Sequence, residues 1–130
     1  MQQKEVSVVF YKPEFVRKDW HYDLDVATLA SFFDELASEL FPLGVSLRYW
    51  REDDVSIPVK GYGDLLNSVR IRSPKDSLAN LCLGHIVGQS VNADLVEDIK
   101  RGVNRVAFAP EMIEPQGSDK IVCHNCGCGC

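Results

Sequence analysis

The sequence has 130 residues, a length typical of one domain, with 45% hydrophobic and 25% charged residues. Its net charge of −5 and its scattered basic residues argue against a nucleic-acid-binding surface, which would concentrate Lys and Arg. No apolar run is long enough to cross a membrane, and the first residues lack the long apolar segment of a secretory signal. We therefore expect a cytoplasmic protein that binds neither nucleic acid nor a membrane.

The first third of the chain predicts a strand, a helix and a second strand. Alternating apolar residues predict a strand over Glu5–Tyr11, which Lys12–Pro13 should end. Apolar residues then recur at helical spacing over Val26–Leu40, and Asp25 is placed to cap this helix. Because Val45–Tyr49 alternates again, we expect a β–α–β unit with two parallel strands.

The middle of the chain predicts turns and short strands. Glu52–Asp54 reads as an acidic turn, and Val55–Val59 as an edge strand because Pro58 lacks a backbone donor. Gly61–Asp64 predicts a turn, and the alternation at Val69–Ile71 predicts a further strand.

The last third predicts two helices and a final strand. The segment Ser73–Asp76 has the cap, proline and acidic residue of a helix start, and Gly84 should end that helix. A further helix is expected over Asn92–Arg101, with Gly102 at its exit, and Val103–Ala109 is expected to be a strand.

These elements predict an α/β domain over residues 1–114 with a small mixed sheet and packed helices. A linker over residues 115–122 and a flexible cysteine-rich tail over residues 123–130 are expected to follow. The pattern is compatible with a thioredoxin-like architecture. The loop before Asp25 contains no cysteine, so the Cys-x-x-Cys site of a thioredoxin enzyme is missing.

The cysteines point to the function. There are five, an odd number that fits a disulfide framework poorly. Four of them lie in the last eight residues, at Cys123, Cys126, Cys128 and Cys130. Thiolates are soft ligands that favour zinc, copper(I) and iron–sulfur clusters over magnesium or calcium. We therefore predict a soft-metal or metal–sulfur site in this tail.

Spacing alone leaves the metal open. Four ligands within eight residues form short chelate rings, which suit a copper(I)–thiolate cluster better than a tetrahedral zinc site. An iron–sulfur cluster can take a remote ligand, for which Cys82 and His85 are candidates, and His124 is a further candidate within the tail. The simpler interpretation is a buried packing role for Cys82 and a capping or surface role for His85.

The segment Val122–Cys128 locally resembles the C-x-x-C-x-C metal-binding claw of nitrile hydratases and thiocyanate hydrolases. In that family three cysteine sulfurs and two backbone amides hold iron or cobalt. The resemblance implies as ligands the sulfurs of Cys123, Cys126 and Cys128 and the amides of Gly127 and Cys128. It covers seven residues, and His124–Asn125 and Gly127 differ from the family's usual residues. The resemblance therefore concerns a geometry and not a reaction.

The rest of the chain offers weaker candidates. Arg70 and Arg72 alternate on one strand face and could hold an anion, although a solvated face is the simpler interpretation. The loop residues Trp20, His21 and Tyr22 could form a recognition surface or cover one end of the core. No nucleophile–base pair or phosphate loop is evident in the sequence of the domain.

Three functional hypotheses remain open. The first is a carrier, rather than an enzyme, that binds or delivers a soft metal or cluster to a protein partner. The second is a thiol, persulfide or electron relay that uses the same cysteines. The third is a precursor whose cysteine-rich C-terminus is modified by an enzyme that the domain recruits.

Overall fold

A computed structural model of the chain describes residues 4–20, 22, 26–76, 78–87 and 94–112. They form the strands and helices β1 Lys4–Phe15, α1 Val26–Leu40, β2 Val45–Val59, α2 Tyr62–Asn67, β3 Val69–Ser73, β4 Leu78–Cys82, α3 Leu83–Val87 and α4 Leu95–Phe108. Short 3-10 turns lie at Phe41–Leu43, Pro74–Asp76 and Pro110–Met112. Among these residues, no helix combines the length and apolar character needed to cross a bilayer.

The strands form one mixed sheet in the order β2-β1-β3-β4. Strand β1 pairs in parallel with β2 and antiparallel with β3, and β3 pairs antiparallel with β4. The predicted mixed α/β fold is therefore confirmed, as is the parallel pair joined by a helix.

Helix α1 occupies the range that its apolar spacing predicts. Phe33, Leu36 and Leu40 form its buried face. The ring of Phe33 stacks on Tyr49 with the centroids 4.2 Å apart, which ties the helix to β2. The chain leaves the helix through a 3-10 turn and then Gly44, whose φ of 85° is a left-handed conformation that glycine adopts without strain.

Strands β1 and β2 are longer than predicted. Lys12–Pro13 does not end β1, because β3 pairs only with Ser7–Phe10 and the missing donor of Pro13 therefore breaks no bond to β3. The expected turn at Glu52–Asp54 is also wrong. Tyr11 pairs with Glu52 and Lys12 with Ser56, so Asp53–Val55 lie in a bulge within one continuous edge strand.

Two other predictions are wrong for a common reason. The segment after Pro74–Asp76 is strand β4 rather than a helix. Conversely, the strand expected over Val103–Ala109 is largely the second half of α4, and Gly102 lies inside that helix. A short apolar run fits both the helical and the strand period, and the segments that it packs against determine which structure forms. The expected turn at Gly61–Asp64 mostly belongs to α2.

The helices contribute to one hydrophobic core. They supply Phe33, Leu36 and Leu40 from α1, Leu65 and Leu66 from α2, Leu83, Ile86 and Val87 from α3, and Leu95, Ile99, Val103 and Val106 from α4. These residues pack with Val6, Val8 and Phe10 of β1. Val9, Tyr11 and Ile57 form a second, smaller cluster. Alternation along β1 thus separates two layers of different composition.

Lys4 fastens the C-terminal end of α4 to the sheet. Its ammonium group donates to the carbonyls of Val106 and Ala107 and forms an ion pair with Asp76 at 2.6 Å. A cation is favoured at this end of a helix, where carbonyls lack partners. Burial acts to raise the pKa of Asp76, but hydrogen bonds from Lys4 and Ser73 outweigh it, so the pKa is lowered.

We predict that Gly102→Ala destabilises the fold. A Cβ atom there would lie 2.4 Å from Cδ1 of Leu83 and 3.2 Å from Cδ1 of Ile71, and both side chains are fully buried, so the core must shift to accept it. Overpacking should outweigh the helix propensity of alanine, giving a net loss of about 1–2 kcal/mol in urea unfolding. The exposed change Lys100→Ala on the same helix should shift stability by less than about 0.5 kcal/mol. A stabilised Gly102→Ala protein would contradict the packing.

A second prediction concerns pH. Because the pKa of Asp76 is lowered in the folded protein, its stabilisation is complete above the unfolded pKa near ~4 and is lost as the pH falls through the folded value. Asp76→Asn should therefore cost about 1 kcal/mol at pH 7 and less near pH 3. Urea unfolding at both pH values measures this. Asp53→Asn is the control, because the pair of Asp53 with Arg51 is mostly exposed and should contribute little.

Candidate functional site

The predicted tail ligands lie outside the described residues. This applies to Cys123, Cys126, Cys128, Cys130 and His124. Of the predicted metal ligands, the structure describes Cys82 and His85. The described part of the chain contains no group of three or more His, Cys, Asp and Glu residues arranged to hold a metal ion.

Cys82 is enclosed at the end of β4. Its exposed fraction is 0%, and it forms no disulfide with another described residue. The sulfur accepts a hydrogen bond from the backbone N–H of His85 at 3.4 Å, which helps to turn the chain from β4 into α3. A metal held by the tail could reach this sulfur only if that junction opened. The packing role is thus supported, although Cys82 lies on a strand and not on the predicted helix.

Arg70 and Arg72 lie in a layer of polar and aromatic side chains, not on a solvated face. Arg70 is 2% exposed and donates to the backbone and side-chain oxygens of Asn67 at 2.9 and 2.6 Å. Arg72 donates to the side-chain oxygen of Asn80 at 3.1 Å. Burial of an arginine requires such partners, because its charged form is costly to remove from water. The solvated-face interpretation is wrong for Arg70.

Glu52 connects this layer to strand β2. Its carboxylate accepts a hydrogen bond from the Trp50 indole at 2.9 Å and forms an ion pair with Arg72 at 3.2 Å. The hydrogen bond from Trp50, followed by that from Arg72, lowers the pKa of Glu52. The guanidinium of Arg72 also lies 6.0 Å from the centre of the Trp50 ring. The guanidinium of Arg72 is therefore bound by side chains of the fold itself.

Trp20 and Tyr22, which precede α1, close one end of the core. Trp20 and Tyr22 are partly buried and pack against the main cluster. The hydroxyl of Tyr22 accepts the backbone N–H of Leu95 at 3.2 Å, at the start of α4. The structure therefore supports a covering role for these two residues, while His21 lies outside the described residues.

A cavity of about 190 Å³ lies toward the carboxyl end of β1. Phe10, Tyr11 and Pro13 of β1 line it together with Leu29 and Ala30 from the first turns of α1. The lining is mostly apolar, as is usual for ligand pockets.

The other walls come from four further parts of the chain. Tyr49 and Arg51 belong to β2, Leu65 to α2 and Leu95 to α4, and Ser68 at the end of α2 precedes Val69, the first residue of β3. Strands β2 and β3 lie on opposite sides of β1 in the sheet. From the carboxyl end of β1 the chain therefore passes first to β2 on one side and later to β3 on the other side. Binding sites in open α/β sheets favour such positions, outside the carboxyl ends of the strands.

Sequence reasoning did not identify this cavity. Its walls are apolar residues that also fit a continuous core, and they meet only through the sheet order. One signal was present: the cavity lies where the β–α–β unit predicts the carboxyl end of its first strand.

We predict that Cys82 is protected from alkylation in the folded protein. Since its sulfur is enclosed, iodoacetamide should modify Cys82 on the order of 10²-fold more slowly in native protein than in urea-unfolded protein. Peptide mass spectrometry after timed labelling of reduced, metal-free protein measures this. Fast native labelling of Cys82 would show that the β4–α3 junction opens and would restore this residue as an accessible ligand.

The comparisons with known proteins identify no relative. No protein-family model matches the sequence, and no curated protein or solved structure is significantly similar to it. Function must therefore be argued from the residues of this chain.

Proposed function

We propose that this protein binds a soft metal ion or a metal–sulfur cluster through Cys123, Cys126, Cys128 and Cys130 and delivers it to a protein partner. The observation that carries the proposal is the clustering of four of the five cysteines in the last eight residues of the sequence, at C-x-x-C and C-x-C spacings. These spacings allow neighbouring sulfurs to face one ion, and Gly127 and Gly129 permit tight turns between them.

Charge and protonation set the conditions for binding. A free thiol has a pKa near ~8.5, so binding near neutral pH releases protons and should weaken as the pH falls. Four thiolates on one divalent ion leave a net charge of about −2, and Lys120 is the nearest cation in sequence. A copper(I) cluster or an iron–sulfur cluster fits the short chelate rings better than an isolated tetrahedral zinc ion, and His124 is an additional candidate ligand.

The domain would act as the docking part of the carrier. We infer a thioredoxin-like arrangement, for which the support is a parallel β–α–β unit followed by an antiparallel pair of strands and a long helix. We infer a cytoplasmic location because reduced thiols persist there. The burial of Cys82 is consistent with placing the exchangeable thiols outside the domain.

The experiment compares metal binding by the full chain and by a variant with all four tail cysteines changed to serine. Protein purified without oxygen should hold zinc, copper or iron, detected by elemental analysis, and visible absorption should distinguish a cluster from zinc. The serine variant should lose the metal, because hydroxyl groups are poor ligands for soft ions. Retention by the wild type should decline as the pH is lowered from 7.5 toward 5.5.

Cys82→Ala is the matched control, because it removes a cysteine that the structure encloses. It should keep the metal content of the wild type. Equal metal content in the wild type and the four-serine variant would overturn the proposal. In that case intact mass distinguishes the alternatives: persulfide or disulfide mass shifts indicate a relay, and irreversible changes within the tail indicate a modified precursor.

A further inference from the structure

We propose that the cavity toward the carboxyl end of β1 is a docking site for the apolar pair Ile121–Val122 of this same chain. Docking there would hold the cysteines that follow next to the start of α1. The inference deepens the proposed function, on which its purpose rests, since it specifies where the domain keeps the tail. The docking itself does not require a metal.

The cavity has the size and character for one aliphatic side chain. Its volume is about 190 Å³, and a cavity of about 150 Å³ lined by apolar residues holds benzene. The side chain of isoleucine is smaller than benzene. Phe10 of β1, Leu29 of α1 and Leu65 of α2 line the cavity and would contact such a side chain. Among the 18 residues that follow Met112, Ile121–Val122 is the only pair of adjacent aliphatic residues.

The segment is long enough to reach the cavity. Leu95 at the start of α4 lines the cavity, and the helix runs to Phe108, about 20 Å away at 1.5 Å per residue. The contacts of Lys4 with Val106 and Ala107 independently place this end of α4 at the amino end of β1, opposite the cavity. The nine residues from Ile113 to Ile121 extend about 30 Å. The linker can therefore span the fold.

The charge at the rim suits this occupant. Arg51 lines the cavity, and its side chain is 63% exposed. Its ion pair with Asp53 at 3.2 Å is similarly exposed and contributes little, so it can be exchanged. Asp119 lies two residues before Ile121 and would bring a carboxylate to Arg51 when the pair docks.

A tethered segment has an advantage over a partner in solution. Burial of one or two aliphatic side chains supports a dissociation constant in the millimolar range. A short tether supplies an effective concentration of about the same size. The docked and undocked forms are then comparably populated, which allows a partner with higher affinity to displace the segment.

Trypsin cleavage after Lys120 tests the docking. Lys120 is the only Lys or Arg after Met112, and a docked Ile121 should slow its cleavage roughly two- to threefold, in line with comparable populations. Reduced protein in EDTA is digested and followed by intact mass, so that bound metal plays no part. Each rate is divided by that of the same variant unfolded in mild urea, which corrects for sequence effects on trypsin.

Two variants should abolish the protection. Ala30→Trp fills the cavity from α1, and Ile121→Ser/Val122→Ser removes the apolar pair without altering the described fold. Ser31→Trp is the matched control, because Ser31 is the exposed neighbour of Ala30 and should keep the protection. Cleavage after the exposed Lys18 should be the same in all variants.

Three outcomes would overturn the docking. They are unprotected Lys120 in the wild type, protection that survives Ile121→Ser/Val122→Ser, and protection that disappears on hundredfold dilution. The last outcome would place the tail in the cavity of a second copy. None of them affects the metal content of the four-cysteine tail, so failure of the docking and failure of the proposed function are distinguishable.

Discussion

Strand β1 hydrogen-bonds to a neighbour on each side, and every residue from Val6 to Tyr11 is buried. A strand in this position needs cover on both faces, and the chain supplies two different covers. Helices pack on the face of Val6, Val8 and Phe10, whereas the smaller layer around Val9 and Tyr11 contains arginine, asparagine and tryptophan. A polar layer of this kind is stable only when its donors and acceptors are paired. The described residues meet this condition, since none of their buried side-chain N or O atoms lacks a hydrogen bond.

The pairing of β1 also determines where the cavity forms. The pairing of β1 with β3 extends only as far as Phe10, and the register between β1 and β2 shifts just after Tyr11. From this point β1 continues beside β2 alone, and the backbone N–H of Tyr11 donates to Ser68 at 2.8 Å. The start of α1, α2 and the start of α4 meet over this narrowed part of the sheet and do not fill it completely. The cavity thus forms because the pairing of β1 with β3 ends before the pairing of β1 with β2. No single residue in the sequence indicates this difference.

Features that depend on one stretch of the chain could be predicted from the sequence, whereas features that depend on pairing between distant segments could not. Helix α1 was predictable because its apolar period extends over 15 residues, and the parallel pair follows from the strands on either side of it. In β4, Leu78, Leu81 and Cys82 have a spacing that also fits a helix, and pairing with β3 makes this segment a strand. In α4, Val103 and Val106 continue the stripe of Leu95 and Ile99, which outweighs their β propensity. The predicted tail ligands follow from composition, whereas the cavity depends on contacts among six helices and strands.

The burial of Cys82 bears on how a carrier of this kind could work. A soft metal exchanges between thiolates, so any accessible cysteine on the domain would compete with the tail and with the partner. In the described part of the chain the one cysteine is enclosed and its sulfur accepts a backbone hydrogen bond. Under the proposed function, exchange is then confined to Cys123, Cys126, Cys128 and Cys130. Under that proposal, the affinity for the ion would depend on chelation within those eight residues, while the fold would control only their position and their access to a partner.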